Sequence, residues 1–293
     1  MFDRILFPTD GSDGADAVLA HALDLAHASE AELHVLHVAD TTEYSLVRIE
    51  EEVVDVQAQA GVDVVDAAVE RAEARGVEAV GQVVRGQPYR SILAYADEHG
   101  VDLLVMPTHS RRDLGEVVLG STTDRVVRRA DVPVLTVRPE IADEVAYPYR
   151  SILVPTDGSD GATLALERAL DLAVADDARL HLLSVVETDL LDAIPGLGPD
   201  GPLEERARSA VDRARSRAGD AGVEVRATVE EGASVSRTIA TYAEANGVDL
   251  VVMGTHGRSG LDRYLIGSVA ERLLRIAPAP VMTVRPPDEG SSR

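Results

Sequence analysis

This chain repeats itself once over almost its whole length. Residues 5–14 read ILFPTDGSDG and residues 152–161 read ILVPTDGSDG, identical at nine of ten positions and 147 positions apart. Residues 100–109 (GVDLLVMPTH) and 247–256 (GVDLVVMGTH) keep the same offset with eight identities. Gly120-Ser121 and Gly267-Ser268 keep it too, as do Arg138-Pro139 and Arg285-Pro286. A unit of about 140 residues is the size of a whole domain, too long for the stacked 20–50-residue repeats of a solenoid. The 293 residues therefore read as two domains, 1–140 and 149–286, joined by a polar seam that holds Asp143, Glu144 and Pro148.

Within each unit, short apolar runs alternate with helical patterns. Ile5-Leu6-Phe7, closed by Pro8, reads as a strand. Val18, Ala22, Leu25 and Ala26 recur at helical spacing behind the N-cap candidates Ser12 and Asp13. The same reading places strands at 33–38, 78–84, 103–106 and 134–137, and helices at 51–75, 91–98 and 122–129. Apolar strands alternating with amphipathic helices predict an α/β fold, a doubly wound parallel sheet with helices on both faces. In the second copy residues 187–203 are rich in Gly and Pro and read as a loop.

Charge narrows the choice of partner. Asp and Glu number 51 against 28 basic residues, a net charge of -23, and every basic residue is arginine. A GC-rich genome accounts for the missing lysine. The acid surplus fits a protein that works in concentrated salt, where self-repulsion is screened. Such a chain offers no broad basic face to nucleic acid or an anionic membrane. Cysteine is absent, which removes disulfides, thiolate metal sites and cysteine nucleophiles. No apolar run approaches ~18 residues and no secretory pattern opens the chain, so a cytoplasmic protein without a spanning helix is expected.

Chemistry is expected beyond the carboxyl ends of strands one and four, where a doubly wound sheet reverses its strand order. Pro155-Thr156-Asp157 follows the first strand of the second copy, and Met253-Gly254 follows its fourth. The spacing Gly254-x2-Gly257-x9-Gly267-Ser268 leaves bare backbone N–H groups in a loop. It then opens a helix from about Val269, whose first amides and dipole end suit a phosphate. The Ser268 hydroxyl can donate to phosphate or ligate a metal. Asp157 suits ribose hydroxyls, and both it and Asp10 equally suit an Asx-turn or a helix cap. Arg258 can neutralise phosphate or form a solvated rim pair.

With that spacing in place, the chain resembles a tandem universal stress protein over nearly its whole length. The resemblance implies the strand order 3-2-1-4-5 in each five-stranded sheet, ATP at the switch point, with or without Mg²⁺, and pairing through the fifth strands, within the chain or as a homodimer. By position it implies Asp157 at the adenosine and the Val185 backbone at adenine. It also implies Gly254, Gly257, Gly267, Ser268 and the Val269 amide at the phosphates, with Pro155, Thr156, Met253 and Arg258 completing the set. In the first copy Pro107 and Ser110 replace the two loop glycines, so one N–H is lost and one Cβ gained, while Asp10, Val38, Gly120 and Ser121 survive as a weaker set. ATP is therefore expected mainly in the C-terminal domain. The implied function is an ATP-binding regulator of the stress response. A slow Mg-dependent ATPase and a nucleotide-independent interaction module are the alternatives.

Other polar groups read as structural. His34 and His37, three apart on a strand, point to opposite faces and cannot share a metal. His109 and His256 read as surface loop histidines. Glu50–Asp55 and Glu204–Arg217 read as solvated helical faces.

Overall fold

The computed structural model describes residues 1–40, 46–49, 52–110, 119–188, 201–255 and 266–285, with the backbone alone at 46–49 and 52–58. Two compact units, Phe2–Tyr147 and Pro148–Arg293, divide the chain.

The first unit runs β1 (Arg4–Pro8), α1 (Asp13–Ser29), β2 (Glu32–Asp40), β3 (Leu46–Ile49), β4 (Glu52–Asp55), α2 (Val56–Glu73), β5 (Ala79–Gly86), α3 (Pro88–Glu98), β6 (Leu103–Pro107), α4 (Ser121–Val127) and β7 (Val134–Val137). Its parallel sheet is ordered β5-β2-β1-β6-β7. The second unit runs β8 (Ser151–Pro155), α5 (Asp160–Asp176), β9 (Arg179–Glu187), α6 (Pro202–Asp220), β10 (Val225–Gly232), α7 (Val235–Ala245), β11 (Leu250–Gly254), α8 (Ser268–Ile276) and β12 (Val281–Val284). Its sheet is β10-β9-β8-β11-β12, also parallel. Each is the doubly wound order 3-2-1-4-5.

The central strands are apolar because helices cover both faces. Ile5, Leu6 and Phe7 are buried to within 1%, and Ile152, Leu153 and Val154 completely. Hiding one such side chain from water stabilises the fold by roughly 1.5–3 kcal/mol. β2 shows the two faces directly. His34 Nδ1 meets the Tyr95 hydroxyl of α3 at 2.9 Å. His37 packs on the other side, against Gly61 of α2, where a Cβ would run into its ring.

The repeated segments build the same local structure twice. Ser12 and Ser159 cap α1 and α5, each accepting an N–H three residues on, from Ala15 at 3.3 Å and Ala162 at 3.2 Å. The Asp of each Gly-Val-Asp-Leu ties down the start of strand one. Asp102 Oδ2 accepts from Asp3 N at 2.7 Å, and Asp249 Oδ2 from Arg150 N at 2.8 Å and Ser151 N at 2.9 Å. Gly100 and Gly247, at φ +61 and +57, let the chain leave α3 and α7 through the left-handed region.

One element differs from the sequence reading. The helix expected from Glu51 begins at Val56, and Glu52–Asp55 forms a strand antiparallel to Leu46–Ile49. Val53 and Val54 are β-branched and favour an extended backbone, which outweighs the helical continuation. The solvated helical face assigned to Glu50–Asp55 is corrected accordingly. Most of the loop assigned to 187–203 lies outside the described residues. No helix among those described is long and apolar enough to cross a membrane.

Candidate functional site

In both units strands one and four part early. β1 pairs with β6 only at Ile5–Leu103 and Leu6–Leu104, and β8 with β11 only at Ile152–Leu250 and Leu153–Val251. Beyond those pairs the strands continue to Pro8 and Pro107, or to Pro155 and Gly254, so a crevice opens at their carboxyl ends. Topology alone dictates this, because the connections leave strands one and four in opposite directions.

In the second unit the crevice is a cavity of about 610 Å³. Nine of the residues singled out in the sequence line it: Pro155, Thr156, Asp157, Val185, Met253, Gly254, Gly267, Ser268 and Val269. They come from the ends of β8, β9 and β11 and the start of α8. Gly257, Arg258 and His256 lie outside the described residues, as do Arg111 and Arg112 of the first copy.

Each polar group has a structural cause. Asp157 Oδ1 accepts from Ser159 N at 3.0 Å, an Asx-turn that fixes the carboxylate at the cavity wall. Gly267 is the N-cap of α8, and its own N–H is spent on Thr255 O at 2.8 Å. The first bond inside α8 runs from Glu271 N to Gly267 O, so the amides of Ser268, Val269 and Ala270 have no intrahelical acceptor. All three residues line the cavity. Along β11, Val251 N bonds Pro280 O and Thr255 N bonds Val284 O, so alternation turns the Gly254 N–H toward β8, where pairing has ended. Gly254 also has a packing reason to be glycine. A Cβ there would stand 2.7 Å from the carbonyl carbon of Gly161 in α5.

Thirteen further residues line the cavity that were not singled out in the sequence as ligand contacts, and four of them stand out. Leu203, Arg206 and Ala207 present one face of α6, at the i, i+3, i+4 spacing that could have flagged them. Arg206, exposed as expected on the face read as solvated over Glu204–Arg217, also stands on the cavity wall. Ser184, buried on β9, is the fourth.

The first unit treats its crevice differently. Asp10 makes the same Asx-turn, accepting from Ser12 N at 3.0 Å, and its second oxygen accepts from Ser110 Oγ at 2.6 Å. Ser110 O accepts from Gly14 N at 3.1 Å, which draws the loop over the start of α1. Gly120 caps α4 and bonds Thr108 O at 2.7 Å, as its counterpart does; Ser121 opens that helix, and Val38 lies on β2. His109 is a correction. It is buried, with Nδ1 2.9 Å from Thr108 Oγ1 and Nε2 2.7 Å from Glu140 Oε1, so a carboxylate holds it out of solvent.

No group of three or more potential metal ligands occurs among the described residues. His34 and His181 lie away from the crevice and each meets a tyrosine hydroxyl, at 2.9 and 3.0 Å. Burial holds His181 below the ordinary histidine range, and the bond from His34 holds Glu32 below the carboxylate range.

Comparison with known proteins matches this architecture. The model of the universal stress protein family matches twice, at residues 1–138 and 148–285. A universal stress protein of Methanocaldococcus jannaschii is 35% identical over 143 residues, 47% of this chain and 84% of its own length. One from Bacillus subtilis is 34% identical over 148 residues, 47% of this chain and all of its own. The crystal structure of a universal stress protein from Archaeoglobus fulgidus superposes with a TM-score of 0.74 at 22% identity, covering 96% of this chain and 98% of that one, a likeness of fold. The chain belongs to the universal stress protein family and carries two copies of its domain in tandem.

Proposed function

We propose that the second unit binds an adenine nucleotide, ATP first, and that the chain is a nucleotide-responsive regulator of the stress response. One observation carries the reading: the cavity sorts its walls as a nucleotide needs them. On the β9 side, Leu183, Val186, Leu203 and Ile239 offer an apolar slot for a base, with the Val185 backbone at its edge. At the end of β8, Asp157 stands where a carboxylate would accept from ribose hydroxyls. On the β11 side, the Gly254 N–H and the first amides of α8 suit phosphate oxygens. Ser268 supplies a hydroxyl donor, and Arg206 a local cation in a chain of net charge -23. A divalent ion would arrive on the triphosphate, since one carboxylate and one hydroxyl do not make a cage. A bound nucleotide regulates only through different affinities for two states or partners.

The test is calorimetric titration of Mg-ATP into the full chain in molar potassium chloride. One site per chain is expected. Ser268→Asp should weaken binding about 100-fold, because a donor is lost and a carboxylate placed beside the phosphates. Aspartate at a helix start stabilises the helix, so lost binding there is not lost folding. Ser121→Asp should leave affinity unchanged. Two equal sites, or no binding by calorimetry and by equilibrium dialysis, overturn the reading.

A further inference from the structure

The two units build one wall of the crevice from different side chains. His37 of β2 and Ser184 of β9 stand 147 positions apart, at one place in the repeat. Across the wall, Val65-Asp66 and Val211-Asp212, then Gly76-Val77-Glu78 and Gly222-Val223-Glu224, align α2 with α6 at an offset of 146, which matches Gly61 with Ala207. A large side chain facing a glycine in the first unit is thus a small one facing an alanine in the second. The first pair is closely built. The His37 ring packs on Gly61, and its Nδ1 donates to Thr9 O at 3.0 Å. The second pair leaves room, and both Ser184 and Ala207 line the cavity.

The open wall carries two unsatisfied polar groups. Thr156 is the counterpart of Thr9, and each N–H bonds the carbonyl beside it, Leu183 O at 2.8 Å and Leu36 O at 2.9 Å. Thr9 O takes the imidazole N–H, whereas Thr156 O accepts no hydrogen bond among the described residues. Ser184 is only 4% exposed and lines the cavity, and its hydroxyl has no hydrogen-bond partner among the described residues. Buried polar groups are ordinarily paired, so a carbonyl and a hydroxyl left open beside a cavity point to a bound group that satisfies them. The first unit shows what fits the carbonyl: a flat nitrogen heterocycle that presents one N–H.

We propose that His37 is a built-in occupant of the first unit's base slot, and that the slot Ser184 leaves open in the second unit takes an aminopurine with its exocyclic N–H on Thr156 O. This rests on the reading of the second cavity as a nucleotide site and adds what selects the base. The adenine amine is a donor where guanine and hypoxanthine carry a carbonyl, which would meet Thr156 O lone pair to lone pair. An imidazole shares the planarity and thickness of a purine's five-membered ring, so the side chain that closes one slot stands in for the ligand that fills the other. In the first unit the loop at 107–110 governs the phosphates, and His37 governs the base.

The test titrates adenosine, which carries no phosphate, into the full chain in molar potassium chloride and counts sites by calorimetry. The wild type should show one site. Opening the first slot with His37→Ser, Gly61→Ala should give two. Closing the second with Ser184→His, Ala207→Gly should give none, with the urea midpoint near that of the wild type. Purine riboside, which lacks only the amine, should bind about ten-fold more weakly than adenosine wherever adenosine binds. One site in the opened form, a site kept in the closed form, or equal affinity for purine riboside overturns the proposal while the nucleotide reading stands. Should the closed form not fold, the site count of the opened form decides. A wild type that binds neither adenosine nor ATP defeats the nucleotide reading, and imidazole then judges His37. It should raise the urea midpoint of the opened form and leave that of the closed form, or of the wild type if the closed form does not fold, lower by comparison; an equal response overturns the proposal.

Discussion

The two units share strand order, caps and turns, and part company at the crevice. In the second, Gly254 ends β11 with its N–H toward the opening, and nine sequence-marked residues meet around one cavity. In the first, Pro107 ends β6 with no N–H to offer, Ser110 donates to the carboxylate of Asp10, and Glu140 secures His109. Most of what is identical between the copies builds structure: the Ser12 and Ser159 caps, the Asp102 and Asp249 anchors, the left-handed Gly100 and Gly247. What differs falls on the few backbone positions that face the opening. A duplicated fold thus persists through its turns and anchors, while two substitutions, at Pro107 and Ser110, change the crevice between the copies.

Acid should separate the units most strongly. His21 is buried in α1, and desolvation lowers its pKa to about 4, while the second unit has Arg168 at that position, part exposed and 3.8 Å from Asp171. The folded pKa lies below the unfolded 6.5, so the fold prefers the neutral ring. The contribution is whole above pH 6.5 and is lost as pH falls toward 4. At 1.36 kcal/mol per pH unit the loss is roughly 3 kcal/mol across that window. Urea midpoints of the wild type and His21→Leu, measured from pH 7 to 4.5, should diverge by this amount; parallel curves would remove the histidine from the first unit's acid response.

The packing difference gives the next largest effect. Gly254→Ala places a Cβ 2.7 Å from backbone that cannot rotate away, so α5 must shift. A cost of about 2 kcal/mol is expected for overpacking of this kind. Thermal unfolding followed by hydrogen exchange should show the loss in the second unit's amides. Protection left intact at α5 and β11 would mean that the glycine is kept for its exposed N–H alone.

Strand and helix positions and the crevice were legible because apolar strands buried on two faces leave a continuous signal, and because the copies mark each other's boundaries; the order of the strands in the sheet came only with the family resemblance. The misses have physical causes. α3 starts at Pro88 rather than Ser91, since proline fits the first helical position although it resembles a break. The β3–β4 pair hid under a helical charge pattern. His109 looked solvated because Glu140, 31 positions on, cannot be read as its partner from sequence spacing. Arg206 was masked by the many other arginines of α6, whereas Asp157, Gly254 and Ser268 stood out through their place in the repeat.

Ser110→Gly should have the smallest effect and says most about why the units differ. The hydroxyl it removes donates to Asp10 at 2.6 Å in a solvent-exposed pair, so stability should fall by about 0.5–1 kcal/mol. Freeing that carboxylate does not by itself restore a phosphate site, because β6 still ends in Pro107. Measured on a Ser268→Asp background that silences the second unit, Ser110→Gly should show no ATP binding, and adding Pro107→Gly should bring weak binding back. If Ser110→Gly alone binds, the block was the Ser110–Asp10 bond, and the missing amide counts for little. If the double variant stays silent with its fold intact, an N–H at position 107 and an open carboxylate are not sufficient. The division between the units would then lie in the β2–α2 wall, where His37 packs on Gly61 and the second unit has Ser184 at the position of His37.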